Sequence, residues 1–343
     1  MRFLKHTTLI FALLLAAAAV SAQSATQPRL VVNIVVSQMR YDYLLRFADN
    51  MREDGFKRFM HEGLVFTDAR YDFMQTITPA TLATLSTGAD PSTHGIVSER
   101  WIDYTINSTV RLIDDYSVYG LDCDASVGQY SHHNLTVPTL GDRLVEQHPD
   151  SRVVTIATNP TSAVVMGGFS SAVYWMDDTR GNWVSSSAYM DRLPAWVVSY
   201  DSLRVASQYL DYNWMLAKPK TSYVNHAYSV FDFEPVNGFR KFMQFDFLRR
   251  KGISRDYPAI LYTPAGNTLV TEFAKRVLLN ENLGRNEEHS RPDMLNIVYD
   301  ASRNIGEMYG GESMEVEDMF YKLDSEIADL IDFIYTQVDK KDV

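Results

Sequence analysis

A threonine at the start of a predicted helix is the first residue of this sequence that could do chemistry. The segment TPATLATLSTG, residues 78–88, places Thr78 at the N-cap, Pro79 at the first helical position and Gly88 just past the end. The hydroxyl of Thr78 has two uses there. It can cap the helix, or it can act as a nucleophile where backbone N–H groups and the helix dipole stabilise an anion. The segment alone leaves both uses open.

The elements that must position Thr78 alternate between strands and helices. Residues 30–36, LVVNIVV, form a nearly continuous apolar run, as expected for a strand that is buried in a parallel sheet. The other predicted elements are helices over 138–147 and 268–279, strands over 152–157 and 294–299, and a long amphipathic helix over 315–340. This alternation predicts an α/β protein with an open, mostly parallel sheet sandwiched by helices.

The composition is that of a folded globular protein, since 46% of the 343 residues are hydrophobic and 22% are charged. Lys and Arg number 32 against 43 Asp and Glu, and the formal net charge is −11. Because no basic cluster stands out, we expect no nucleic-acid partner. Cys123 is the single cysteine of the sequence, so an intramolecular disulfide cannot form.

The first 22 residues have the layout of a secretory signal peptide. Arg2 and Lys5 precede an apolar run from Leu9 to Val20, and small residues follow before Gln23. We expect cleavage near Ala22 and a periplasmic or secreted protein. The apolar run is too short to cross a membrane, so no membrane span is expected.

The region of about residues 168–261 lacks the alternating pattern and is rich in aromatic residues. It is longer than an ordinary connecting loop, and we interpret it as a cap inserted into one domain that covers residues 23–343. No strand follows the amphipathic helix, so we expect the C-terminal part of the fold to be missing. The sheet would then have an uncovered edge, which predicts self-association or a protein partner that completes the sheet.

Six separated segments resemble one family, the secreted, zinc-dependent phosphate-ester hydrolases of the alkaline phosphatase superfamily. The resemblance is to the bacterial group with a threonine nucleophile, which is similar to type I phosphodiesterases and nucleotide pyrophosphatases. The segments are residues 30–44, 71–97, 174–197, 212–219, 263–284 and 316–333. The resemblance implies the alkaline-phosphatase-like sandwich, two zinc ions at the carboxyl ends of the strands, and Thr78 at the position of the nucleophile.

The same resemblance implies that the zinc ligands have been replaced. The Asp that closes the first strand in the family is Ser37 here, and a neutral hydroxyl is a poor zinc ligand. The Asp and His that follow the strand over 294–299 are Arg303 and Glu307, and an arginine cannot ligate zinc. The family's remaining ligands would lie beyond the final helix. We therefore expect no cofactor.

The positions that contact phosphate in the family also differ. An asparagine of the family is Glu99 here, and a carboxylate repels phosphate. A lysine and an arginine of the family are Asn159 and Thr161. We expect Arg303 to pair with Glu99 or Glu307, either in a buried ion pair or as an exposed neighbour.

Three interpretations follow. The leading one is a catalytically inactive pseudophosphatase with a binding or scaffolding role, because Thr78 would lack a base, a Lewis acid and a phosphate clamp. The alternative is a metal-dependent phosphate-ester hydrolase with rearranged ligands such as Asp300, Glu307 or His94. The third is a decayed gene remnant, against which the regular helices and uninterrupted strands argue.

Overall fold

The structure, a computed structural model, describes residues 27–210, 214–225, 257–285 and 291–343. The predicted signal peptide, residues 1–22, lies outside the described residues, and so does a large part of the predicted cap, residues 226–256. Within the described ranges no helix is both long enough and apolar enough to cross a membrane.

A six-stranded sheet lies at the centre of the fold. Its strands are β1 (Leu30–Val36), β4 (Gly120–Leu121), β5 (Val153–Ala157), β6 (Ala172–Asp177), β7 (Asn182–Ser186) and β8 (Asp293–Tyr299). Their spatial order is β1-β8-β5-β6-β7-β4, in which the first four strands are parallel and the last two add antiparallel pairs. A separate antiparallel hairpin is formed by β2 (Arg100–Asp103) and β3 (Ser108–Arg111).

Helices cover both faces of the sheet. They are α1 (Tyr41–Arg46), α2 (Phe56–Glu62), α3 (Thr78–Thr87), α4 (Pro91–His94), α5 (Ala125–Gly128), α6 (Leu140–Gln147), α7 (Pro160–Gly167), α8 (Ala195–Asp201), α9 (Tyr257–Ile260), α10 (Ala265–Asn280), α11 (Ala301–Tyr309) and α12 (Met314–Gln337). Short 3₁₀ helices lie at Ala48–Asn50, Val205–Tyr209, Lys220–Ser222 and Lys340–Asp342.

Two hydrophobic cores fill the space between sheet and helices. The larger core contains the buried faces of α10 and α12, and the smaller core contains residues of α3 and α7. All seven residues of β8 are buried, because β8 has a strand on each side and helices on both faces. The predicted α/β fold class, with a mostly parallel sheet between helix layers, is confirmed.

The structure differs from the sequence pattern in two places. Part of the region interpreted as a cap forms β6 and β7, which are strands of the central sheet. The aromatic residues that suggested a cap, such as Trp175 and Trp183, are buried on the two sides of this sheet. Downstream of α2, the apolar residues Leu64–Phe66 continue the alternating pattern of the sequence, but they form no strand and are exposed. The extent of the cap and the domain limits remain predictions.

Candidate functional site

A cavity of about 680 Å³ lies where the carboxyl ends of β1 and β8 meet the start of α3. Its lining brings together five residues that the sequence singled out, namely Ser37, Thr78, Glu99, Arg303 and Glu307. These residues come from four separate stretches of the chain. Ligands of open α/β sheets generally bind at this edge of the sheet. We call this cavity the strand-end pocket.

Thr78 is the first helical residue of α3 and not its N-cap, where the sequence analysis placed it. Ile77 occupies the N-cap and offers no side-chain hydrogen bond. Pro79 follows, and Gly88 ends the helix in the left-handed conformation with φ of 69°, as predicted. Among the described residues, no hydrogen bond engages the Thr78 hydroxyl. Because Thr76, Ile77 and Thr78 line the strand-end pocket, the N-terminal end of α3 borders the cavity.

Asp300 is a buried carboxylate below the pocket, and its surroundings link three elements. Its Oδ1 accepts hydrogen bonds from the hydroxyls of Ser37, at 2.9 Å, and Ser162, at 2.8 Å. In the described part of the chain, its Oδ2 has no hydrogen-bond partner. Burial raises the pKa of Asp300, and the nearby Arg303 guanidinium opposes that rise. Sequence reasoning named Asp300 as a rearranged ligand, but the contacts with Ser37 and Ser162 depend on the fold.

Two arginines line the pocket, the exposed Arg100 and the largely buried Arg303. The side chain of Arg303 is 14% exposed, whereas the side chains of Glu99 and Glu307 are 58% and 61% exposed. Each carboxylate lies 3.9 Å from the guanidinium, which is too long for a hydrogen bond. The buried ion pair considered in the sequence analysis is therefore not formed. The structure has instead a largely buried arginine with two loosely held, exposed counter-charges.

Asn159 and Thr161 are not among the residues that line the strand-end pocket. The side chain of Asn159 caps α7, accepting from the backbone N–H groups of Thr161, at 2.8 Å, and Ser162, at 3.2 Å. This capping accounts for the asparagine at the start of a helix. A role of Asn159 and Thr161 as degenerate phosphate-contact positions remains a prediction.

His94, one of the rearranged ligands considered above, is a core residue. It is fully buried, with Nε2 3.1 Å from the Thr84 hydroxyl and Nδ1 accepting from the backbone N–H of Ile96 at 3.0 Å. Burial lowers the pKa of His94 and favours the neutral ring. Both ring nitrogens have partners inside the protein, and His94 does not line the strand-end pocket.

Gln38 and Gly306 also shape the pocket, and the sequence analysis gave neither a role in the site. Gln38 follows the end of β1 in the left-handed region, with φ of 58°, which is uncommon for a residue other than glycine. Its side chain lies so close to Gly306 that a Cβ there would fall 2.0 Å from its Oε1. A side chain at position 306 would therefore require the Gln38 side chain to move.

The described side chains do not form a set that fits zinc. No group of three or more His, Cys, Asp or Glu residues suited to a metal ion occurs in the ranges that the structure covers. The Ser37 hydroxyl donates a hydrogen bond to Asp300. Arg303, on the helix α11 that follows β8, adds a cation to the pocket. A cation and a hydroxyl donor disfavour a divalent metal, and we derive no chemical step through zinc.

Comparisons with known proteins identify the class of fold. A crystal structure of the wild-type alkaline phosphatase PafA superposes with a TM-score of 0.83 at 28% identity, covering 92% of this chain and 61% of that chain. The fold is therefore alkaline-phosphatase-like. The family model of type I phosphodiesterase / nucleotide pyrophosphatase matches residues 31–338. The chain belongs to this family.

Three relatives show the same relationship in sequence. A protein of Myroides odoratus named calcium-transporting ATPase is 33% identical over 331 residues, which are 94% of this chain and 59% of the relative. The alkaline phosphatase PafA of Elizabethkingia meningoseptica is 30% identical over 322 residues, or 92% and 57%. The alkaline phosphatase PhoV of Synechococcus elongatus is 28% identical over 320 residues, or 93% and 58%. The chain thus spans about three-fifths of their length.

The comparisons correct one expectation from the sequence. We expected no cofactor, but the matched relatives include alkaline phosphatases, which use zinc. Metal use is therefore a property of the family to which the chain belongs, and that expectation was wrong. The replaced side chains at Ser37, Arg303 and Glu307 describe the pocket and do not override the family relationship.

Proposed function

We propose that this protein is a catalytically inactive pseudophosphatase whose strand-end pocket binds a phosphate ester or a similar anion. The observation that carries the proposal is the largely buried Arg303, which lines the same cavity as the N-terminal end of α3. A guanidinium and a helix N-terminus both favour an anion. Their combination supports binding at the position where the family performs its chemistry.

The pocket offers little help to Thr78 as a nucleophile. A threonine hydroxyl needs a base or a metal ion to become reactive at neutral pH. Two residues that share the pocket with Thr78 fit neither role, because Ser37 donates to Asp300 and Arg303 is a cation. Glu99 and Glu307 are exposed and lie beside the guanidinium. The Thr78 position is therefore proposed as a retained but unused nucleophile position.

Weak counter-charges make Arg303 available to a ligand. Glu99 and Glu307 are more than half exposed and 3.9 Å away, so an entering anion can displace them without leaving a buried charge unpaired. A buried, hydrogen-bonded pair would have cost far more to break. We expect binding to strengthen when either carboxylate is neutralised.

Titration with phenyl phosphate, followed by calorimetry, tests the binding part of the proposal. The parent protein is expected to bind, and Arg303→Gln is expected to weaken binding at least tenfold. Arg111→Gln is the matched control, because this arginine is 67% exposed and does not line the pocket. Equal binding by the parent and Arg303→Gln would contradict the proposal.

The alternative function, a metal-dependent phosphate-ester hydrolase with a rearranged site, is not better supported. His94 has internal partners at both ring nitrogens, and Glu307 lies beside Arg303. A decayed gene remnant remains the third interpretation. It predicts a product that does not fold, which a cooperative thermal transition of the purified protein would exclude.

Location and partners complete the proposal. We propose a periplasmic or secreted protein, released by cleavage near Ala22, on the strength of the N-terminal residue pattern. We further propose that the sheet edge at β1 supports self-association or binding to a protein partner. Its support is an apolar edge strand that pairs with another strand on one side within the described residues.

A further inference from the structure

Positive and negative side chains are balanced in the strand-end pocket. Of the described residues that line it, four are charged at neutral pH: Arg100, Arg303, Glu99 and Glu307. Two cations thus face two carboxylates, and the buried Asp300 lies below them. A phosphate monoester carries about 1.5 to 2 negative charges at pH 7. A pocket whose own charges cancel matches such a ligand better when the ligand also carries a positive charge.

Arg303 has hydrogen-bonding capacity that the described part of the protein does not use. A guanidinium has five N–H donors, and the Arg303 side chain makes no hydrogen bond with the described residues. The side chain is 14% exposed and its Nε is buried. A buried arginine that served only the fold would be expected to donate to neighbouring acceptors. The unused donors fit a ligand group with several oxygen atoms, such as phosphate.

The two carboxylates reach this guanidinium from different elements and at different nitrogen atoms. Glu307 follows Arg303 by four residues on α11, so the two side chains lie on one face of that helix. Glu99 immediately precedes β2. Oε1 of Glu99 lies 3.9 Å from Nη1 of Arg303, and Oε1 of Glu307 lies 3.9 Å from Nε. Because neither distance is a hydrogen bond, these carboxylate oxygens are open to another donor.

Glu99 and Glu307 are therefore placed to bind a cation that enters together with a phosphate. When phosphate oxygens occupy the donors of Arg303, the two carboxylates lose their contact with the guanidinium and stay close to the phosphate. An ammonium group on the ligand supplies them with three donors and offsets the repulsion between carboxylate and phosphate. Since each carboxylate lies 3.9 Å from the guanidinium, the ammonium must be close to the phosphate within the ligand. A two-carbon spacer meets this requirement.

We propose that the strand-end pocket selects phosphate monoesters that carry an ammonium group a few bonds from the phosphate. Arg303 binds the phosphate, and Glu99 and Glu307 bind the ammonium. The inference rests on the proposed anion-binding function and adds the class of ligand to it. The pocket volume of about 680 Å³ leaves room for such a molecule. An ester without the ammonium binds less well, because the two carboxylates repel its phosphate.

Calorimetric titration with two esters of the same shape tests the inference. 2-Aminoethyl phosphate and n-propyl phosphate differ in one group, which is an ammonium in the first and a methyl in the second. Because exposed ion pairs are modest in strength, we expect the parent protein at pH 7 to bind the amino ester about fivefold more tightly. Equal binding of the two esters, or tighter binding of the propyl ester, would overturn the inference. Binding of phenyl phosphate by the same protein would then leave the proposed anion-binding function intact.

Variants at the two carboxylates should affect the two esters in opposite directions. In the double variant Glu99→Gln, Glu307→Gln, the amino ester should bind more weakly than in the parent and the propyl ester more tightly. The ratio of their dissociation constants should fall to about one. Arg303→Gln should weaken the binding of both esters about tenfold, because it removes the phosphate contact.

Glu146→Gln is the matched control. This glutamate is also exposed beside an arginine, on α6, and it does not line the pocket, so the preference for the amino ester should be unchanged. A preference that persists in the double variant would overturn the inference, since the ammonium would then have another partner. Failure of the parent protein to bind either ester would also overturn it. If phenyl phosphate failed to bind as well, the proposed anion-binding function would fail with it.

Discussion

Buried carboxylates in two regions of the molecule have very different surroundings. On α12, Asp324 accepts the backbone N–H of Arg52 on one oxygen, at 2.6 Å, and that of Phe56 on the other, at 2.7 Å. Below the strand-end pocket, Asp300 accepts two serine hydroxyls on one oxygen and leaves the other without a partner among the described residues. Both side chains belong to residues that are almost fully buried.

A second charged group in each region shows the same difference in hydrogen bonding. Glu317 on α12 accepts the backbone N–H groups of Val224 and Asn225, at 2.8 and 2.7 Å, one on each oxygen. In the pocket, the Nε of Arg303 is buried without a hydrogen bond inside the described part of the chain. The two α12 carboxylates are thus paired on both oxygens, whereas Asp300 and Arg303 each keep one polar atom without a hydrogen bond in the described part of the chain. Unpartnered buried atoms that lie beside a cavity are open to a ligand.

The largest effect is expected on α12. Asp324→Ala leaves two buried backbone N–H groups without acceptors, so the free energy of unfolding should fall by about 3–5 kcal/mol. Urea denaturation measures the change. Asp329→Ala, on the same helix but with a 62% exposed side chain, should change the unfolding free energy by less than about 1 kcal/mol. Equal effects would remove the basis of the comparison.

Asp201 tests whether an unpaired oxygen matters outside the pocket. It accepts the backbone N–H of Trp183 on Oδ1, and its Oδ2 has no partner among the described residues. Burial raises the pKa of Asp201 to about 7. Because the folded state holds the proton more tightly, its contribution to stability is complete below pH 4 and is lost as the pH rises to 7.

Asp201→Asn should abolish this loss. Relative to the parent, the variant's free energy of unfolding should increase by about 3 kcal/mol between pH 4 and pH 7. Urea denaturation at several pH values measures the difference. If the difference in unfolding free energy between the two proteins stayed constant across this range, ionisation of Asp201 would not destabilise the folded state.

A smaller effect is expected at Asp300. Asp300→Asn keeps an oxygen for the two serine hydroxyls and removes a carboxylate oxygen that has no described donor. The unfolding free energy should therefore change by less than about 1.5 kcal/mol. Thermal and urea unfolding give the value. A loss as large as that of Asp324→Ala would show that Asp300 is structurally equivalent to the carboxylates of α12.

The smallest effect is the coupling between Glu99 and Arg303. The 3.9 Å separation and the exposed carboxylate predict a coupling energy below about 1 kcal/mol in a double-mutant cycle of Glu99→Gln and Arg303→Gln. Unfolding free energies of the four proteins give the coupling. A value of 3 kcal/mol or more would require a tightly bound pair and would make Arg303 unavailable to a ligand.

The sequence predicted the framework well where one physical signal dominated. The apolar run of β1 and the amphipathic face of α12 are strong patterns, and both elements lie close to their predicted bounds. The sequence analysis did not predict β6 and β7, because the aromatic residues in these two strands lack the regular spacing that indicates a strand. Such residues reveal their role only when the two cores that bury them are known.

The site was only partly predictable for a related reason. The family resemblance placed five residues at one site, and the structure brings them together in one cavity: Ser37, Thr78, Glu99, Arg303 and Glu307. The hydroxyl bonds to Asp300 join residues 263 and 138 positions apart, and no local pattern encodes such contacts. The capping by Asn159 is local, because its partners are two and three positions away, and an asparagine before Pro160 is a helix-start signal that sequence reasoning could have used. The exposure of Glu99 and Glu307 beside a buried arginine was invisible in the sequence.

A single-turnover assay tests the central claim most directly. The protein, in molar excess and supplied with zinc, is mixed with 4-nitrophenyl phosphate, and both released nitrophenolate and phosphate bound to the protein are measured. The pseudophosphatase proposal predicts neither product above the level of Thr78→Ala, while phenyl phosphate still binds. Nitrophenolate release that Thr78→Ala abolishes would contradict the proposal and establish a working phosphatase.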